Sequence, residues 1–147
     1  MPMTATEPSA TTAGNAPRAE QPAAELVTEY QRTYPGRTDQ VCQVRRDLAK
    51  HLGDCPATDD AVLVASEIAS NSILHSRSRG ERFTIRVQVH RNYVRVACQD
   101  AGGVWRSRRQ DDRPHGLSIV EALTGPAAWG VEVTGDGGRI VWARLEW

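Results

Sequence analysis

Two polar residues stand four positions apart in a segment that otherwise has the pattern of a core helix. The segment SEIASNSILHS, residues 66–76, contains Glu67 and Asn71. At about 100° per residue, positions four apart lie roughly 40° apart around a helix axis, so both side chains project from one surface. An amide oxygen is a good ligand for Mg²⁺, and a carboxylate beside it could accept a proton from a hydroxyl or water. The spacing indicates either a binding site or a pair satisfied by structural hydrogen bonds, and periodicity alone favours neither.

The helix that carries this pair is predicted to be buried. It begins near Thr58 or Asp59, either of which is a good N-cap residue. Apart from Asp59 and Asp60, Glu67 is the only formally charged residue from 59 to 76. A surface helix normally has a broad charged face, which this segment lacks. A buried carboxylate without a partner costs on the order of several kcal/mol, so Glu67 needs a cation, a metal or a hydrogen-bonded ligand.

Composition excludes several classes of protein. A chain of 147 residues suggests one domain, and its 18 basic and 18 acidic residues argue against nucleic-acid binding through bulk positive charge. No apolar run is long enough to cross a bilayer, and the N-terminus has no signal-peptide pattern. Three widely spaced cysteines, Cys42, Cys55 and Cys98, fit neither a disulfide framework nor a zinc site. We therefore expect a cytoplasmic protein in a reducing compartment, with no direct nucleic-acid contact and no membrane.

The chain divides into a tail and one domain. Residues 1–24 are rich in Ala, Thr, Pro and Gly and have no large aliphatic residue after Met3, so they are predicted to be disordered. Residues 25–147 alternate in pattern as strand, two helices, two strands, a long loop, a helix and two strands. This order predicts an α+β two-layer sandwich, with a mixed, mostly antiparallel sheet and the helices on one face.

Five segments in series resemble the GHKL ATPase superfamily, which includes histidine kinases and DNA gyrase. They are YPGR before the first helix, DDAVLVASEIASNSILHS, the loop that starts at Asp100, HGLSIVEALT, and WGVEV followed by GGRIVWARL. Together they cover residues from about 34 to 147, and they are similar in particular to small bacterial anti-sigma-factor serine/threonine kinases. The resemblance implies the Bergerat-type ATP-binding fold.

The resemblance also implies roles for the polar pair. Glu67 corresponds to the catalytic glutamate that activates the attacking hydroxyl or water, and Asn71 corresponds to the Mg²⁺ ligand, with the metal bridging the triphosphate. His75, one turn further on, would lie near the same surface. It either supports the phosphate end or is an ordinary packing or surface histidine.

Asp100 directly follows a strand and precedes Ala-Gly-Gly. In the family that DAGG resembles, this carboxylate accepts a hydrogen bond from the adenine amino group, and Gly102 and Gly103 allow the backbone to pass close to the base. Taken alone, DAGG is typical of an ordinary turn after a strand.

Residues 104–114 resemble the ATP lid. Its four arginines could attract phosphates, although a charged solvated loop would have the same composition; they are Arg106, Arg108, Arg109 and Arg113. The segment His115, Gly116 and Leu117 resembles the second glycine box, where backbone N–H groups at a helix start suit a phosphate. A plain glycine-assisted helix entry is the alternative.

Two positions depart from the family pattern. Val104 stands where the first glycine box usually has another glycine, and Ile140 stands near the position of a site threonine in the last box. Both departures favour weaker nucleotide binding.

The resemblance implies an ATP- and Mg²⁺-binding regulatory protein, a serine/threonine kinase that acts on a STAS-type anti-anti-sigma factor and regulates a sigma factor. Dimerisation through a sheet edge or the first helices is consistent with the family. The alternative is a catalytically inactive module that binds nucleotide, or nothing, and sequesters a protein partner. A sensor histidine kinase fragment is weaker, because no phosphoacceptor helix pair precedes the domain. A plain α+β interaction domain would require five coincidental matches.

Overall fold

The structure is a computed structural model that describes residues 25–75, 81–102, 115–125 and 128–147. The elements follow the predicted order: β1 (Leu26–Pro35), α1 (Gln40–Leu52), α2 (Thr58–His75), β2 (Arg82–His90), β3 (Tyr93–Asp100), α3 (His115–Thr124), β4 (Trp129–Val133) and β5 (Arg139–Glu146). The tail that was predicted to be disordered, residues 1–24, lies outside the described residues.

The five strands form one sheet in the order β1-β2-β3-β5-β4. All four pairings between these strands are antiparallel, in agreement with the prediction of a mostly antiparallel sheet. Tight turns join β2 to β3 and β4 to β5, and strands joined in this way pair antiparallel. β5 also pairs antiparallel with β3. The α+β two-layer architecture with the helices on one face is confirmed.

One row of side chains shows how the inner face of the sheet is built. Tyr30, Val87, Val96, Ala143 and Trp129 are successive cross-strand partners from β1 through β4. Because side chains alternate along each strand, the residues two positions away in each strand face the same way. The inner face is therefore almost entirely apolar and packs against the helices.

The helices close the core from one side. Each presents an apolar stripe to the sheet, and the buried members of these stripes include Val44, Leu48, Val64, Ile68 and Val120. Burial of each such side chain contributes roughly 1.5–3 kcal/mol relative to exposure. The apolar spacing that predicted the helices is thus the feature that fixes them to the sheet.

A polar network joins β1 to α1. The Tyr34 hydroxyl donates to Asp47 Oδ2 at 2.8 Å, Arg32 Nη1 donates to the same oxygen at 2.6 Å, and Gln43 Nε2 donates to Asp47 Oδ1 at 2.8 Å. Burial would raise the pKa of Asp47, but the hydrogen bonds from Tyr34 and Gln43 and the charge of Arg32 outweigh it and hold that pKa below its usual range. The edge strand is therefore fastened to the helix layer by an ionised carboxylate.

The outer face of the sheet carries charged and aromatic side chains. The Arg144 guanidinium carbon lies 4.0 Å from the centre of the Tyr93 ring, and that of Arg95 lies 5.5 Å from the centre of the Trp142 ring. Successive side chains of a strand point to opposite faces, and these four residues alternate with the core residues of β3 and β5. They therefore point away from the helix layer.

Candidate functional site

The polar pair lies on α2, the most central helix of the layer. Asp59 and Asp60 occupy its first turn, where negative charge stabilises the positive end of the helix dipole. Glu67 is half-buried and Asn71, one turn further on, is only 3% exposed. The structure thus places both predicted residues on one side of one helix, with Asn71 buried and Glu67 partly exposed.

Asn71 has a buried oxygen that lacks a donor. Its Oδ1 atom has no hydrogen-bond partner within the part of the chain that the structure describes. A buried acceptor in this state costs about 1–3 kcal/mol unless another group meets it. The oxygen is therefore available to a metal ion or to another ligand.

A contact between α2 and β3 shows where the Asn71 turn lies relative to the sheet. The hydroxyl of Ser72, the residue after Asn71, lies 3.2 Å from the thiol of Cys98, and both side chains are buried. Asp100 follows two residues later on β3 and faces the same side of the sheet. The Asn71 turn of α2 therefore lies over the C-terminal end of β3, where the predicted base contact begins.

The Asp100 carboxylate is held by two donors. Gly102 N donates to Oδ1 at 2.7 Å, and Arg139 Nη2 donates to Oδ2 at 3.0 Å. The ion pair is almost fully enclosed, since the Asp100 side chain is 0% exposed and that of Arg139 is 5% exposed. The carboxylate is thus neutralised by a charge on the neighbouring strand.

Sequence reasoning missed Arg139. The resemblance drew attention to Ile140, but Ile140 pairs with Gln99 on the outer face, whereas Arg139 is the direct cross-strand partner of Asp100. Period-2 alternation counted back from Val141, which is buried in the core, places Arg139 on the inner face and was the available signal.

Gly102 is required by a close approach of two backbones. It has a φ of +77°, and a Cβ built there would overlap the Gly137 carbonyl oxygen in the β4–β5 turn. A Cβ at Gly138 would lie 2.9 Å from the Asp100 carbonyl oxygen. Gly102 is therefore packed against the β4–β5 turn, a reason for glycine that the sequence prediction did not include.

The remaining predicted positions are described only in part. His115 and Gly116 begin α3, and Leu117 is buried in the core. His75 is the last residue of α2. Gly103, Val104 and the arginines of the predicted lid lie outside the described residues.

Two features are absent from the described residues. Among the described residues, no three His, Cys, Asp or Glu side chains are grouped closely enough to hold a metal ion. No described helix has the length and apolar character needed to span a membrane.

Comparison with known proteins identifies the fold. A crystal structure of the RsbU and RsbW domains of Rv1364c from Mycobacterium tuberculosis is similar to this chain, with a TM-score of 0.62 and 18% sequence identity. The match covers 82% of this chain and 32% of the other, so this chain spans about a third of that protein's length. No family model matches this sequence, and no curated protein matches it significantly. The chain shares its α+β fold with the matched third of that structure.

Proposed function

We propose that this chain is an ATP- and Mg²⁺-binding regulatory protein, a serine/threonine kinase of the anti-sigma-factor type. The observation that carries the proposal is the buried Asn71 oxygen without a donor in the described residues, one helical turn from Glu67. A polar pair of this kind within an apolar helix fits a ligand better than it fits the core. The shared fold and the five resembling segments are consistent with this function.

The proposed roles follow the chemistry of each group. Asn71 would hold Mg²⁺, which supplies charge neutralisation on the triphosphate. Glu67 would accept the proton of a Ser or Thr hydroxyl on a STAS-type anti-anti-sigma partner. Asp100 would lie against the base, and the backbone N–H groups of His115, Gly116 and Leu117 at the start of α3 would face a phosphate.

Calorimetric titration with ATP and Mg²⁺ tests the binding step. We expect saturable binding by the wild-type protein and loss of its Mg²⁺-dependent part in Asn71→Ala. The substitution removes a buried acceptor that costs about 1–3 kcal/mol, which offsets the packing lost on truncation, so the variant should remain folded.

Ser66→Ala is the matched control for this titration. Ser66 is also buried on α2, but its hydroxyl donates to the Leu63 carbonyl of the same helix, so nucleotide affinity should be unchanged. No saturable signal from the wild type at millimolar nucleotide would refute the proposal.

A second candidate is a partner-sequestering module without catalysis. The ion pair between Asp100 and Arg139 favours it, since a neutralised carboxylate is a poorer contact for a base. Capture of partners from cell lysate with and without ATP, followed by phosphosite mapping, separates the two candidates. A new phosphoserine or phosphothreonine on a captured STAS-type partner supports the kinase, and ATP-dependent capture without a phosphoprotein supports the second candidate.

A further inference from the structure

The ion pair between Asp100 and Arg139 bears on which nucleotide the proposed site accepts. The two residues are direct partners in the β3–β5 register, and both side chains face the helix layer. Their contact is therefore fixed by strand pairing as well as by charge.

A lone carboxylate discriminates between purines by their substituent at position 6. It accepts a hydrogen bond from an amino group and repels the lone pairs of a carbonyl oxygen. A buried carboxylate without a counter-charge would therefore favour adenine over guanine strongly, because the wrong base would leave it without a donor.

Arg139 removes both parts of this preference. Its guanidinium already donates to Oδ2, where an amino group would otherwise bind, and its charge cancels the repulsion of a carbonyl oxygen. The other oxygen accepts from the Gly102 amide, and because the Asp100 side chain is 0% exposed, neither oxygen is presented to a base as a selective acceptor.

We propose that Arg139 is a specificity-determining residue that makes the site accept purine nucleoside triphosphates with either a 6-amino or a 6-oxo group. This inference rests on the proposed nucleotide binding. It differs from the family expectation of a site that selects ATP through Asp100.

Competition between ATP and GTP, each with Mg²⁺, tests this inference through a ratio of dissociation constants. For the wild type we expect the two constants to agree within about three-fold. In Arg139→Met, which removes the donors and keeps the length of the side chain, ATP should bind about ten-fold or more tightly than GTP. Arg139→Thr should shift the ratio in the same direction, and it replaces Arg139→Met in the test if that variant does not fold.

Arg144→Met is the matched control, since Arg144 lies on the same strand but on the outer face, against Tyr93. Its ratio should equal that of the wild type. A wild-type protein that already binds ATP ten-fold more tightly than GTP overturns the inference without any variant. Equal ratios in the wild type and in folded Arg139 variants overturn it too, while nucleotide binding stands. If a folded wild type binds neither nucleotide, both the inference and the proposed function fail.

Discussion

The Ser72 hydroxyl and the Cys98 thiol lie 3.2 Å apart inside the core, where they join α2 to β3 beside the candidate site. Burial raises the pKa of Cys98 to about 12, although the hydrogen bond with Ser72 acts in the opposite direction. The thiol is therefore protonated at neutral pH, and it acts as a packing group rather than a nucleophile.

Cys98 should consequently resist alkylation in the folded protein. With iodoacetamide at pH 8, peptide mass spectrometry should find Cys42 labelled, because Cys42 is exposed. Cys98 should be labelled only after unfolding in urea. Labelling of both residues at similar rates in the native protein would contradict the buried contact.

Glu67→Ala should separate binding from catalysis. The carboxylate is assigned to proton transfer rather than to metal binding, so the variant should keep most of its ATP affinity and lose phosphate transfer to the partner protein. Calorimetry measures the affinity, and transfer of radiolabel from ATP measures the reaction. Persistent transfer in the folded variant would remove Glu67 from this role.

Tyr34→Phe should weaken the attachment of β1 to α1. The variant loses the hydroxyl that donates to Asp47, and a hydrogen bond to a charged group is worth about 1.5–3 kcal/mol. We expect a loss of that size in the free energy of unfolding at pH 7, measured by urea denaturation. Tyr93→Phe, on the outer face of the sheet, is the control and should show a smaller change.

The same network predicts the sign of a pH dependence. The pKa of Asp47 is lower in the folded protein than in an unfolded chain, where it is about 3.9. Its stabilising contribution is therefore present above that unfolded value and is lost as the pH falls through the folded pKa. The difference between the wild type and Tyr34→Phe should shrink below about pH 4. A difference that stays constant down to pH 2 would show that Asp47 ionisation is not involved.

Gly102→Ala should destabilise the protein. The φ of +77° is unfavourable for alanine, and the new methyl group would meet the Gly137 carbonyl. We expect a loss of about 2 kcal/mol or more in thermal or urea unfolding. Gly135→Ala is the matched control in the β4–β5 turn, because a Cβ at Gly135 meets nothing within 4 Å. Equal stability of the two variants would show that the close approach is not required.

Local pattern predicted most of the fold. Alternation in RFTIRVQVH and NYVRVACQD predicted β2 and β3. The apolar spacing in the helices predicted which face of each helix packs on the sheet. The antiparallel pairing of β3 with β5 depends on contacts between residues 39 to 53 positions apart, which local patterns do not contain.

The contacts around the candidate site were predicted less completely for the same reason. Glu67 and Asn71 could be recognised because they are neighbours on one helix. The pairing of Asp100 with Arg139 could not, because it depends on the register between two strands far apart in the sequence. Gly102 was identified as a special position, but its close contact with Gly137 depends on the placement of a distant turn.

The packing of Gly102 against Gly137 has a consequence for local motion. Two backbones that touch without intervening side chains cannot separate by rotamer changes, so the backbone at Gly102 and the β4–β5 turn must open together. Amide hydrogens in the two regions should therefore exchange with deuterium as a single cooperative unit, and a ligand that slows exchange in one region should slow it in the other.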